Sequence, residues 1–185
     1  MEKNDHHFTN FKIHSQFSIC EGAVKIDELA EYCKKNKIKA IGLCDSFNLS
    51  GALEFAEKIS KVGTQPIIGS QINFKVENVI GKLPIFASTK EGYKNLTKLS
   101  SISYLESEAN SEPYCELESL YDNAEGLVIL SGTVYDLIGK LFKLNKLSLI
   151  RNLLKKLNET FINNFYIEIQ RHFENEEKNY EDFLI

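Results

Sequence analysis

Apolar and polar positions along the chain alternate between two periods, near 2 and near 3.6, and each switch marks a new element. FKIHS, residues 11–15, reads as the end of a first strand. Over 24–37 (VKIDELAEYCKKNK) the apolar positions Ile26, Leu29, Ala30 and Cys33 recur with the helical period. Asp27 and Glu28 fall in the first turn of that helix and lysines in the last, where the helix dipole favours them. KAIGLCD (39–45) is a short apolar run of the buried, parallel-strand kind. SGALEFAEKISKVG (50–63) predicts a second helix, capped by Ser50 and stopped by Gly63. QPIIGSQINFKV (65–76) predicts a strand, 78–81 a turn, and LPIFAS a further strand.

The second half continues in the same manner. A helix over KEGYKNLTKLSSISYLE runs into a polar loop, SEANSEP (107–113), then a short helix near ELESLYDN. GLVILSG (126–132) predicts a strand, Val134 to Phe161 a helical region, NFYIEIQ (164–170) a strand, and Glu174 onward a helix. Repeated strand–helix alternation predicts an α/β fold with a mainly parallel sheet and helices outside, either open or closed into a barrel. In both forms chemistry gathers where strands end at their C-terminal edge. That rule selects His14, Asp45, Ser46, Gln71 and His172. Singly, each has an ordinary reading: a histidine after a strand is commonly a hydrogen-bonded surface group, and Asp45 also suits a cap on the next helix. Their convergence from four strands is what suggests a catalytic mouth.

Composition narrows the classes. At 185 residues, 43% hydrophobic and 26% charged, the chain fits one soluble globular domain with a real core. Its net charge is −4, with basic residues spread along the chain, so no electrostatic footprint for nucleic acid stands out. Cys20, Cys33, Cys44 and Cys115 form no CxxC pair and read as reduced, mostly buried thiols of a cytoplasmic protein. The charged start MEKNDHHFTN is not a signal peptide, and no stretch approaches the ~20 apolar residues of a membrane span.

IHSQFSICEGAVKIDEL, IGLCDSFNLSGALEFAEK, QPIIGSQINF, EGYKNLTKLSS, EGLVILSG and FYIEIQRH stand in the order and spacing of one known module. Together they resemble the N-terminal polymerase-and-histidinol-phosphatase (PHP) domain of bacterial replicative DNA polymerase III alpha subunits, from about Phe8 to Ile185. The resemblance implies a distorted, TIM-like (β/α)7 barrel, here a fragment spanning 1–185 and incomplete at the C-terminus, with its last strand and final Asp-x-His pair beyond Ile185. An open barrel edge then predicts marginal stability or self-association. Active members of the family hold up to three zinc or manganese ions through His, Asp and Glu, and these ions activate water against a phosphate ester.

Set against that ligand pattern, the His-x-His motif falls on Lys12 and His14, and the following acid on Glu21. The histidine after strand two falls on Ser46 beside a retained Asp45, the strand-three carboxylate on Gln71, and a later histidine on Lys82, while His172 is kept. A charged ammonium offers no lone pair, so Lys12 reads as a substitute for a metal ion, holding Glu21 and Asp45 by charge-assisted hydrogen bonds; the other reading has it in solvent on an edge strand. The resemblance thus implies a degenerate metal site of Lys12, His14, Glu21, Asp45, Ser46, Gln71, Lys82 and His172, without catalytic residues or bound metal. Any residual Zn2+ or Mn2+ falls to His14, Glu21 and His172, with Asp45 nearby. The role implied is scaffolding within a DNA-directed DNA polymerase, whose Mg2+ site lies downstream. Its partners are the rest of that chain, the proofreading exonuclease subunit, and DNA through the parent, with no membrane. The alternatives are a metal-dependent phosphoesterase or exonuclease and a small free-standing regulator.

Overall fold

Among residues 8–108 and 111–185, which the computed structural model describes, seven helices and six strands follow one another in a mixed α/β arrangement. They fall into two units, Met1–Ser70 and Gln71–Ile185. The strands form a six-stranded sheet of order β1-β2-β3-β5-β6, with β4 on β2.

The first unit contains α1 (Ile26–Asn36), β1 (Ala40–Ser46), α2 (Ala52–Lys61) and the start of β2 (Gln65–Val76). Helix α1 buries the four residues its period singled out, Ile26, Leu29, Ala30 and Cys33. These pack with Ile41, Leu43, Phe55 and Ile59 into one core, joined at its margin by Ile13, Phe17 and Ile68. Six of the seven β1 residues are buried, as a run of consecutive apolar residues requires when both faces are covered. Lys37 closes α1 in the left-handed conformation at φ 53°, a place usually given to glycine. Gly63, at φ 81°, lies just beyond α2 as expected. Ser50 does not cap α2, however: the N-cap is Gly51, and Asn48 Oδ1 instead accepts the Ser50 N–H at 3.0 Å, shaping the entry as an Asx turn.

The expected first strand is not formed. Residues 10–14 run beside β1, where Gly42 N donates to Asn10 O at 2.7 Å and Cys44 N to Ile13 O at 2.8 Å. Donors two residues apart therefore meet acceptors three apart, and the extra residue breaks the ladder in the manner of a bulge. Only an isolated parallel bridge, Ser15 to Val24, remains. The segment crosses Gly42 so closely that a Cβ there would stand 2.3 Å from Phe11 O.

The second unit carries the rest of β2, then β3 (Val79–Ala87), α3 (Lys90–Leu105), β4 (Cys115–Glu116), α4 (Leu117–Asp122) and β5 (Leu127–Leu130). After these come α5 (Leu137–Lys143), α6 (Leu147–Thr160), β6 (Phe165–Tyr166) and α7 (Asn175–Leu184). The sheet is mixed, joining antiparallel pairs to the parallel ones that the alternation predicts. Only Glu77 and Asn78 separate β2 from β3, a turn that can return the chain only as a hairpin. Pair β3–β5 is antiparallel, with Ile85 opposite Ile129, whereas β2–β4 and β5–β6 are parallel. The expected strand at 164–170 pairs only at Phe165–Tyr166. Gly132 at φ 77° turns the chain away after β5, and the Ser131 hydroxyl accepts the Glu168 N–H at 2.9 Å where a ladder carbonyl would stand. The helical region from 134 breaks at Asn145, φ 55°, into α5 and α6. Part of the expected 107–113 loop, residues 109–110, lies outside the described residues; the remainder has no regular structure.

All four cysteines are free; Cys33, Cys44 and Cys115 are buried and Cys20 is exposed. Burial pushes the Cys115 thiol up to about 12, and Cys33 rises for the same reason. Among the described residues no helix is long and apolar enough to cross a membrane.

The close crossing at Gly42 predicts that Gly42→Ala destabilises the chain by about 2–3 kcal/mol through overpacking. At Gly63 a Cβ meets nothing within 4 Å, so Gly63→Ala bears only the left-handed penalty of about 1 kcal/mol. Urea unfolding of the two variants measures the difference, and equal losses would contradict it.

Candidate functional site

Loop 15–24 of the first unit is folded back on itself by its own backbone. Ser18 N donates to Ser15 O at 2.9 Å, Glu21 N and Gly22 N both donate to Ser18 O, and Gln16 N reaches Val24 O. Cys20 takes a left-handed conformation at φ 66°, and a Cβ on Gly22 would stand 2.0 Å from Ser15 O. Glycine is thus required where the loop closes.

That loop delivers three donors to one carboxylate. Asp45, near the end of β1 and 1% exposed, accepts from Ser15 N at 2.6 Å and Ser18 Oγ at 2.7 Å on Oδ1. Its Oδ2 accepts from Ser15 Oγ at 2.7 Å. The backbone at Asp45 is tied as well, since Ser70 Oγ donates to Asp45 O at 2.8 Å. A carboxylate offers about four lone-pair sites, and three are occupied by charge-assisted bonds directed at buried neighbours. Asp45 is a brace that fastens the loop to the strand end. It caps no helix, since the N-cap of α2 is Gly51.

A second tier is built on Ser18 and Ser46. Ser18 Oγ gives its one proton to Asp45, accepts the Ser46 N–H at 3.0 Å, and lies 3.3 Å from His14 Nδ1. With the serine proton committed, Nδ1 is the donor in that last contact, which fixes the imidazole tautomer by proton counting. Ser46 Oγ donates to Glu21 Oε2 at 2.5 Å, and the same carboxylate oxygen lies 3.6 Å from His14 Nδ1. His14 and Glu21 therefore meet through one nitrogen and one oxygen, both facing a serine hydroxyl. This arrangement orients an imidazole and a carboxylate but gives neither a nucleophile–base pair, since Ser18 Oγ and Glu21 share Nδ1.

Of the residues singled out in the sequence, His14, Glu21, Asp45 and Ser46 come together in the first unit. Lys12 is half-buried within the irregular stretch between Asn10 and Ile13, so the strict alternation that would pair it with His14 on one face has no ladder behind it. The others belong to the second unit. Gln71 is buried in β2, and Lys82 is half-buried in β3. His172 lies exposed past β6, its N–H donating to Glu177 Oε2 at 2.7 Å and its Nε2 3.2 Å from Gln170 Oε1. Among the described residues no group of three or more His, Cys, Asp and Glu side chains is arranged to hold a metal ion. Sequence reasoning missed Ser15 and Ser18. The available signal was serine spacing of three directly after the predicted strand, which suits one loop turn aimed at a neighbouring acid.

The PHP domain family model matches residues 10–172. A DNA polymerase III subunit alpha of Caulobacter vibrioides is 34% identical over 89% of the chain and 15% of its own length. One from Borreliella burgdorferi is likewise 34% identical over 89% and 15%. Another, from Rickettsia bellii, is 35% identical over 96% of the chain and 15% of its own. The chain thus spans about 15% of the length of these relatives. The solved structure of an amidohydrolase from Chromobacterium violaceum overlaps 49% of the chain and 32% of its own, at 15% identity and a TM-score of 0.39, too slight a likeness to bear on the site.

Removing the brace leaves three buried donors unsatisfied, each a bond to a charged acceptor worth roughly 1.5–3 kcal/mol. Asp45→Ala is therefore expected to lose about 3–5 kcal/mol in urea unfolding. Glu21→Gln keeps an acceptor for Ser46 and is expected to lose less than about 1 kcal/mol. Similar losses from the two would show that Asp45 is not the brace.

Proposed function

The chain is a member of the PHP domain family, and from that premise we propose that it serves as the N-terminal PHP domain of a DNA-directed DNA polymerase of the DNA polymerase III alpha kind, as scaffold rather than hydrolase. Its working form on this reading is a distorted (β/α)7 barrel, of which residues 1–185 are a fragment lacking the last strand and the final Asp-x-His pair. Its partners are the remainder of the polymerase chain and a proofreading exonuclease subunit, with DNA reached through the parent and Mg2+ confined to the parent's polymerase centre.

The observation that carries the reading is the three hydrogen bonds that Ser15 and Ser18 direct at the Asp45 carboxylate. A hydrolytic centre of this family needs lone pairs from carboxylates and neutral imidazoles facing clustered divalent ions. In the first unit the residues do not fit such ions. Asp45 is consumed by serine donors, and Ser46 spends its proton on Glu21 instead of offering an imidazole. His14 Nδ1 carries a proton toward Ser18 and cannot coordinate through that atom. Lys12 adds a fixed cation to the segment leading into His14, which disfavours a second cation nearby. Relatives spanning the chain at about 34% identity and named DNA polymerase III subunit alpha support the polymerase part of the reading.

The purified chain, loaded with Zn2+ or Mn2+ and then freed of excess metal, distinguishes scaffold from phosphoesterase. Elemental analysis is expected to find no stoichiometric metal, and a chromogenic phosphate ester is expected to show no turnover above buffer. One retained ion per chain, with hydrolysis that a chelator abolishes, would establish the metal-dependent phosphoesterase instead.

A further inference from the structure

We propose that the end of the first unit where α1 and α2 stop binds the backbone of single-stranded nucleic acid, with Lys34, Lys35, Lys37, Lys39 and Lys61 on phosphates and Tyr32 stacked on a base. Basic residues are otherwise spread along the chain, but residues 32–39, YCKKNKIK, hold four lysines and no acid. The fold adds a fifth. Thr64 Oγ1 donates to Ile38 O and Gln65 N to Lys39 O, both at 2.8 Å, which sets the segment after α2 against the segment after α1. Lys61, in the last turn of α2, arrives with it. All five lysines are exposed. Lys58, one turn back on α2, is held by Asp27 at 2.5 Å and Glu54 at 2.7 Å; among the described residues the five have no such partner. The surface lies at the opposite end of β1 from Asp45 and shares no residue with the site described above.

Helix ends alone do not explain the cluster. Lysines in a last turn complement the helix dipole, which accounts for Lys34, Lys35 and Lys61. Lys37 and Lys39 lie past the end of α1. Lys37 moreover holds the left-handed position, φ 53°, that glycine fills after α2 at Gly63, φ 81°. A charged side chain thus stands where the backbone favours none. Like charges gathered in one place repel one another, and an anion that joins them removes the repulsion. Tyr32, 55% exposed, points to the kind of anion. It precedes Lys35 by three residues and Asn36 by four, so the three share one side of α1, and Asn36 Nδ2 donates to Tyr32 O at 2.9 Å. An open aromatic ring beside ammoniums matches a single strand, whose bases offer their faces for stacking. A duplex keeps those faces within its own stack, and an acidic peptide has none. The inference is independent of the scaffold reading, since it needs neither a metal nor a polymerase centre.

Fluorescence anisotropy of an end-labelled oligothymidylate of about twelve nucleotides, titrated with the purified chain over a series of salt concentrations, tests it. Binding is expected at about 50 mM NaCl and weakens as salt rises, with a log–log slope of roughly −2 to −3.5 for about three to five neutralised phosphates. Lys37→Gly removes one charge and relaxes the left-handed turn. It is expected to make the slope shallower by about 0.7 without lowering the urea midpoint, a result that no folding defect produces. Tyr32→Ala is expected to cost about tenfold in affinity for oligothymidylate and nothing for polyphosphate, which has no bases to stack. Arg151→Gln/Lys155→Gln removes two exposed cations of α6 and is expected to leave binding unchanged. No binding at low salt, a Lys37→Gly slope equal to that of the parent chain, or equal losses for Tyr32→Ala on the two polyanions would overturn the proposal. So would a comparable loss from the α6 variant, or polyglutamate bound as tightly as oligothymidylate.

Discussion

A carboxylate withdrawn from water is stable only where other donors replace the water, and at Asp45 those donors are one amide and two hydroxyls from loop 15–24. Most of the first unit's local geometry follows from this exchange. The loop must fold so that Ser15 and Ser18 point at one acid, which calls for the left-handed Cys20 and the close contact at Gly22. The second role of Ser18, accepting the Ser46 N–H, then sets where Ser46 meets Glu21 and where His14 meets both. The side chains with recognisable chemistry are positioned by those without it.

This ordering bears on function. A metal centre requires carboxylates with lone pairs turned toward a shared ion, whereas a brace requires the same lone pairs turned toward the protein. The two uses compete for one residue, and in this chain the protein holds Asp45. Membership of the PHP family therefore fixes descent without fixing chemistry, as fold-level kinship generally does. The relatives named as polymerase subunits are far longer than this chain, which spans about 15% of their length.

Periodicity made much of the architecture legible before any coordinates. Helix α1 and strand β2 lie where their patterns put them, because each buries one clear face or run. What stayed hidden were the places where a single residue interrupts a pattern. The extra residue between Asn10 and Ile13 dissolves a strand whose side chains still read as one. A side-chain oxygen of Ser131 shortens β6 in a way hydropathy cannot register. The turn expected at 78–81 falls instead on Glu77 and Asn78 and sets β3 antiparallel, so residues 79–81 open that strand. The site was half legible for a related reason. His14, Glu21, Asp45 and Ser46 were singled out because their chemistry or position was familiar, while Ser15 and Ser18 passed unnoticed because serine is common and its role depended on an acid 30 and 27 residues away.

The central claim, that Asp45 and its neighbours are committed to the protein and not to an ion, is tested most directly by diffraction from crystals soaked in Mn2+ at the manganese edge. The account predicts no anomalous peak within coordination distance of Asp45, Glu21 or His14, with Ser15 and Ser18 still bonded to the Asp45 carboxylate. A strong peak touching those side chains, with the two serines turned away, would contradict it.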